Sequence, residues 1–216
     1  MNMIEKLIFS ITLSREGNRE VLELGKLEYY LLAINAIGAL VYLINMLLYR
    51  HTTRGQIDVV VTIVSLLGGS AGMLLMILLF DRKAEKENMM SRVFIICIFI
   101  IQVIMLLIFK GHHAEHFTFA FWKFFAEHRI LLIYLGVINL VTFIVFAIDK
   151  ANARANRSRI RIVTLLGLSF AGGSVGGLIS MYLFRHKTQK DYFTVGMPLI
   201  IVTQIVVLFY TMNTGW

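Results

Sequence analysis

Arg185, His186, Lys187 and Lys190 stand together directly after an apolar run. Fixed cations beside a titratable imidazole are the groups that grip a phosphate, above all a lipid head group. The same residues also make a basic anchor, with stems along apolar surface and charges that orient the chain in a membrane. Asp149 and Lys150 close an earlier apolar run. A carboxylate beside a cation at a hydrocarbon boundary joins a site or forms an ion pair, and pairing with Arg154 or Arg157 is the plainer outcome. Asn35, Asn45 and Asn139 lie inside apolar runs. An amide at that depth hydrogen-bonds a neighbouring helix or coordinates a permeating ion.

Other chemistry is thinner. His112, His113 and His116, with Glu115, have helical spacing for a metal. No cysteine or further histidine lies close enough in sequence to complete the set, and the aromatic stretch that follows reads as an interfacial helix. No metal site and no cofactor are expected. The clusters GGSAG and GGSVG lack the GK[ST] ending of a phosphate loop. There is no nucleophile elbow and no HExxH motif, so no catalytic residue is assigned. His186 could move a proton on a lipid phosphate, but the sequence places no partner beside it.

The elements that carry these residues are membrane helices. Of 216 residues, 58% are hydrophobic and only one is proline, more apolar surface than a soluble domain can hide. The formal net charge of +8 sits between apolar runs. That favours basic loops on anionic lipid over nucleic acid. The lone Cys97 rules out an internal disulfide and a cysteine metal cluster. Six apolar runs follow one another at 27–49, 57–80, 93–109, 130–148, 162–184 and 197–212. A spanning helix needs about 20 apolar residues, and barrel-type alternation is absent, so the fold class is an all-α polytopic membrane protein. Residues 1–26 read as an amphipathic surface segment rather than a cleaved signal.

The chain writes its pattern twice. Residues 35–90 align without a gap on 139–194 at an offset of 104, with fifteen of 56 pairs identical. The identities include Asn35 with Asn139, Gly68 with Gly172, Gly69 with Gly173, Gly72 with Gly176, Lys83 with Lys187 and Lys86 with Lys190. The expected organisation is repeat 27–109, an interfacial linker 110–129 and repeat 130–216, each repeat with three hydrophobic helices.

Asp149-Lys150, Ala153, Arg159-Ile160, Leu165, Gly172-Gly173, Gly176, Phe184 to Thr188, Lys190 and Phe193 together resemble the signature of a bacterial membrane family, domain of unknown function 1294. The resemblance covers residues 131–209, and 31–109 looks like a degenerate second copy. It implies a bacterial integral membrane protein and no established activity. The family's Pro-Glu after Arg-Ile is replaced by Arg161-Ile162, and the matching position in the first half is Asp58. Asp149-Lys150 corresponds to Asn45-Met46, and Arg185 to Lys187 corresponds to Asp81-Arg82-Lys83. Each half keeps part of the pattern, as if one site were assembled across the two, unless the first copy has simply drifted.

The second run of each half has two readings. As a straight span it gives six crossings, inverted halves and close-packing glycine faces, Gly68 with Gly72, Gly172 with Gly176 and Gly173 with Gly177. As a re-entrant hairpin its glycines are the turn, and the halves are parallel. Lys and Arg divide 13 to 8 across the membrane in the first reading and 14 to 7 in the second. Runs of 23 or 24 apolar residues favour the straight span.

The expected function is a small transporter, channel or lipid-handling module of the bacterial cytoplasmic membrane, with its site between the repeats near the glycines. The alternatives are a non-catalytic accessory subunit and a membrane enzyme acting on lipid phosphates. Candidate ligand-binding residues are Asp149, Lys150, Arg185, His186, Lys187, Lys190, Asp58, Lys83, Asn35 and Asn139. Membrane lipids, anionic head groups among them, are the expected partners, with an oligomer or a membrane-protein partner open.

Overall fold

The computed structural model describes residues 25–51, 58–83, 86, 88–112 and 117–214. The amphipathic segment expected at the N-terminus therefore lies outside the described residues, apart from its last two, as do His113, Glu115 and His116. Every regular element described is a helix. Six helical segments are long and apolar enough to cross a membrane: Lys26–His51, Asp58–Phe80, Met89–Phe109, Arg129–Arg154, Ile162–Leu183 and Asp191–Asn213.

Two of the six are folded back on themselves. In the first half, α1 (Lys26–His51) is followed by α2 (Asp58–Val64), a wide turn at Ser65–Gly69, and α3 (Ser70–Phe80). Then comes α4 (Met89–Phe109). After the short α5 (Phe121–Glu127), the second half has α6 (Arg129–Arg154), α7 (Ile162–Leu168), a wide turn at Ser169–Gly173, and α8 (Ser174–Leu183). It ends with α9 (Asp191–Thr194) and α10 (Gly196–Asn213).

The direction of each arm follows from its bonds to α6. Gly176, Ser180 and His186 bond in turn to Asn139, Phe143 and Asp149, each pair 37 residues apart. α8 therefore runs parallel to α6. The start of the preceding arm is at the same end, because the Ile160 amide donates to Asp149. Both ends of the segment lie beside Asp149, and its tip lies beside Asn139. Ten helical residues separate these positions on α6, roughly 15 Å, or half of a hydrocarbon core of about 30 Å. The first half repeats the arrangement: Gly72 bonds to Asn35 and Tyr42 to Asp81, while Ser91 at the start of α4 bonds to Asp58 at the start of α2.

The straight-span reading is thus replaced by the re-entrant one, and the physical reason is one glycine per hairpin. Gly68 and Gly172 have φ of 115° and 116°, a conformation closed to ordinary side chains in a helix. The remaining glycines let the tip approach its neighbour. A methyl group on Gly72 or Gly176 would be driven into the backbone oxygen of Asn35 or Asn139, and one on Gly173 into the Thr142 hydroxyl.

The halves lie side by side in the same direction. α4 and α10 form the largest contact between them, with Val93 against Gly196. At the far end Asn213 bonds to Thr118, beyond the end of α4. Met89, Val93 and Cys97 join Phe146, Phe193, Met197 and Ile200 in one buried apolar cluster. All hairpin openings accordingly share one face. Thirteen described lysines and arginines gather there (Arg50, Arg82, Lys83, Lys86, Arg92, Lys150, Arg154, Arg157, Arg159, Arg161, Arg185, Lys187, Lys190), against Lys26, Lys110, Lys123 and Arg129 on the other.

Candidate functional site

A re-entrant tip brings unpaired backbone groups into the hydrocarbon region, where nothing else can satisfy them. Asn139 supplies the partners. Its Nδ2 donates to the carbonyls of Leu135 at 2.7 Å and Gly172 at 2.8 Å, and its Oδ1 accepts from the Gly176 amide at 2.7 Å. Gln204 on α10 donates to the carbonyls of Ser169 and Phe170 and accepts from the Ser174 hydroxyl. The Tyr134 hydroxyl donates to the Ala171 carbonyl at 2.6 Å. Asn35, Gln102, Ser70 and Tyr30 do the same work at the first tip. Asn35 and Asn139 are therefore both engaged with backbone. The glycine clusters sit at two separate tips, and apolar side chains fill the line between the halves.

The polar chemistry lies on the basic face. Asp149, fully buried at the end of α6, accepts from the Ile160 amide through Oδ1. Its Oδ2 receives His186 Nε2 and Lys187 Nζ, each at 2.8 Å. Lys187 Nζ also lies 5.0 Å from the centre of the Phe193 ring. Burial pushes the Lys187 ammonium pKa down, and the Asp149 carboxylate restores only part of the shift.

The chain reaches this geometry by ending α8 in a Schellman motif. His186 N donates to the Met181 carbonyl and Arg185 N to the Tyr182 carbonyl. Such a motif needs a left-handed residue, usually glycine, and here Arg185 adopts it at φ 45°. Lys187 follows at φ 62°, so two strained residues flank His186.

Around this knot opens a cavity of about 1120 Å³. Lys150, Arg159, Arg161, Arg185, His186, Lys187 and Lys190 line it from the second half and Lys86 from the first, and no carboxylate among the described residues lies in its wall. Among the described residues, none of Lys86, Lys150, Arg159, Arg161, Arg185 and Lys190 has an ion-pair partner.

The first half closes the corresponding place. Asp81, buried at the exit of α3, accepts from the Tyr42 hydroxyl at 2.7 Å and Asn88 Nδ2 at 3.0 Å. It pairs with Arg92 at 3.1 Å and Arg50 at 3.7 Å. Here the acid stands at the hairpin exit and Asn45 on the helix, and Arg50 and Arg92 are paired with the acid.

The sequence candidates are thus sorted by place. Lys150, Arg185, His186, Lys187 and Lys190 meet at the cavity, with Asp149 beneath it. Asp58 bonds to Ser91 in the first half, and Lys83 uses its carbonyl to accept from Arg92 and Asn88. Arg159, Arg161 and Lys86 were missed as site residues. The Arg159-Ile160 pair and the Lys86–Lys190 identity were the signals that pointed to them.

The profile of the family described as Protein of unknown function (DUF1294) matches residues 139–193, from the asparagine at the tip to the phenylalanine under Lys187. The Uncharacterized protein YsdA of Bacillus subtilis (strain 168) is 35% identical over 79 residues, which are 37% of this chain and 89% of that protein. The chain belongs to the DUF1294 family. The DUF1294 match contains the second hairpin, Asp149, and the loop that holds His186 and Lys187. No solved structure matches the chain.

Proposed function

We propose that the protein is a lipid-handling protein of the bacterial plasma membrane that holds the head group of an anionic phospholipid in the basic cavity. We also infer that its two halves are copies of one unit, of which the second keeps the site and the first has become its support. Shared support for the copies comes from the paired tip bonds and the sequence register. The observation that carries the binding reading is the cavity wall: among the described residues it holds six cations without ion-pair partners, beside His186 and Lys187, and no carboxylate. Like charges crowded into a hollow repel one another, and a multiply charged anion removes that cost. Phosphate oxygens accept several charge-assisted hydrogen bonds at once. The excess of basic residues on this face supports a cytoplasmic orientation for it, where anionic lipid is available. A pore between the halves finds no support, because apolar side chains fill that line.

Arg185 provides the test, since it is strained where it stands. Arg185→Gly should stabilise the protein by about 1 kcal/mol, because glycine removes the left-handed penalty. It should also weaken head-group retention, since each basic residue near such a surface contributes about 1 kcal/mol, roughly fivefold. Adding Lys190→Ala should deepen the loss to about 25-fold on the same basis. Native mass spectrometry of the detergent-purified protein with phosphatidylglycerol reads the binding, and thermal unfolding reads the stability. Unchanged lipid retention in a stabilised double variant would remove the proposal.

A further inference from the structure

The sequence offered His186 no partner, and the fold supplies one. Nε2 of His186 lies 2.8 Å from Oδ2 of the fully buried Asp149. An ionised carboxylate only accepts hydrogen bonds, so Nε2 carries the hydrogen, and in the neutral form of the ring Nδ1 is the nitrogen with the lone pair. Nδ1 has no hydrogen-bond partner among the described residues, and His186 lines the cationic cavity. A buried acid that fixes the tautomer and direction of an imidazole is how a general base is prepared for proton transfer. Cations around the same cavity are what a phosphate ester needs as negative charge builds on its oxygens. The backbone at Arg185 and Lys187, left-handed on either side of His186, is strain of the kind held at working sites. The first half cannot repeat the arrangement, because Asn45 and Arg82 replace the acid and the histidine.

We propose that His186 is the acid–base residue of a hydrolytic site that cleaves a phosphate ester of a membrane lipid, with Asp149 as its positioning residue. The inference rests on head-group binding in the cavity. Water attacks phosphorus while Nδ1 takes its proton. The phosphorus–oxygen bond to the alcohol breaks, and the protonated ring returns the proton to the departing alkoxide. The products are the shortened phosphate and the free alcohol, and no oxidant or metal enters the balance. The surplus cations hold the non-bridging oxygens.

The experiment uses the full chain reconstituted in vesicles of total bacterial polar lipid, with all phosphorus species followed by 31P NMR and mass spectrometry. The wild type should convert one phosphate-bearing species over many turnovers. His186→Gln retains a side-chain amide donor for Asp149 but has no imidazole lone pair. It should lose at least 100-fold in turnover while the unfolding midpoint stays unchanged. Asp149→Asn should lower kcat at unchanged KM. If no phosphorus species changes with the wild type, or if His186→Gln turns over at the wild-type rate, the hydrolytic site is refuted. Lipid retention measured on the same samples reports separately on the binding reading.

Discussion

Asn139→Leu is expected to destabilise the protein by about 4 kcal/mol, the sum of two stranded backbone groups at about 1–3 kcal/mol each. The side chain is not replaced by water, because the second tip lies about half-way through the hydrocarbon. The Gly176 amide loses its acceptor at 2.7 Å and the Gly172 carbonyl its donor at 2.8 Å. Leucine also brings a branched side chain to a place where Gly172 and Gly176 already press on α6. Asn35→Leu should cost about half as much, roughly 2 kcal/mol, since among the described residues of its tip Asn35 holds the Gly72 amide alone, at 2.8 Å. Leu140→Ala, one position along on a lipid-facing side chain that is 61% exposed, should change little. Unfolding in mixed detergent micelles, followed by circular dichroism, measures all three. A variant at Asn139 that unfolds with the wild type and loses only an activity would return the residue to the ion-coordinating reading.

The second large effect is expected at Asp81. Asp81→Ala removes the acceptor for Tyr42 and Asn88 and leaves Arg92, whose side chain is 11% exposed, facing no carboxylate. Breaking a buried pair from one side costs about 3–5 kcal/mol. The pH dependence follows from the same contacts. Burial alone would raise the Asp81 pKa, but hydrogen bonds from Tyr49 and Tyr42 and the Arg92 charge outweigh it and hold the carboxyl below its ordinary value of 3.8. A carboxyl with a lower pKa in the folded state stabilises fully above the unfolded value, and the stabilisation is lost as pH falls through the folded one. Wild-type stability from this group should be flat from neutral pH to about 5 and drop below about 4. Asp81→Asn should flatten that acid-side drop. A drop of the same size in Asp81→Asn would assign it to other carboxylates.

The class of the fold was legible because apolar runs of membrane length leave few alternatives. The pairing of Asn35 with Asn139 and of the two glycine clusters was legible too, since each tip needs the same amide and the same backbone freedom. The direction of α3 and α8 was not. A run of 23 apolar residues has the composition of a straight span, and one positive φ at Gly172 decides between the two. That φ depends on α6 and α10 offering Asn139 and Gln204 to the freed backbone, which are contacts between distant stretches. In the site, the basic cluster announced itself, but the bond from Asp149 to His186 did not. It joins residues 37 apart that meet only when the hairpin closes. Arg159 and Arg161 looked like loop charges until that closure turned them toward the same cavity.

The central claim is that the glycine-centred segments are re-entrant and that both openings face one side. Single cysteines at Asn156 and Gln189, in a Cys97→Ser background, flank the second segment, and Lys123→Cys marks the opposite face. Each is labelled with a membrane-impermeant thiol reagent in intact cells and again after lysis. The account predicts that Asn156→Cys and Gln189→Cys label only after lysis and Lys123→Cys labels in intact cells. Labelling of Asn156→Cys and Gln189→Cys from opposite sides would contradict it, because the segment would then cross the membrane.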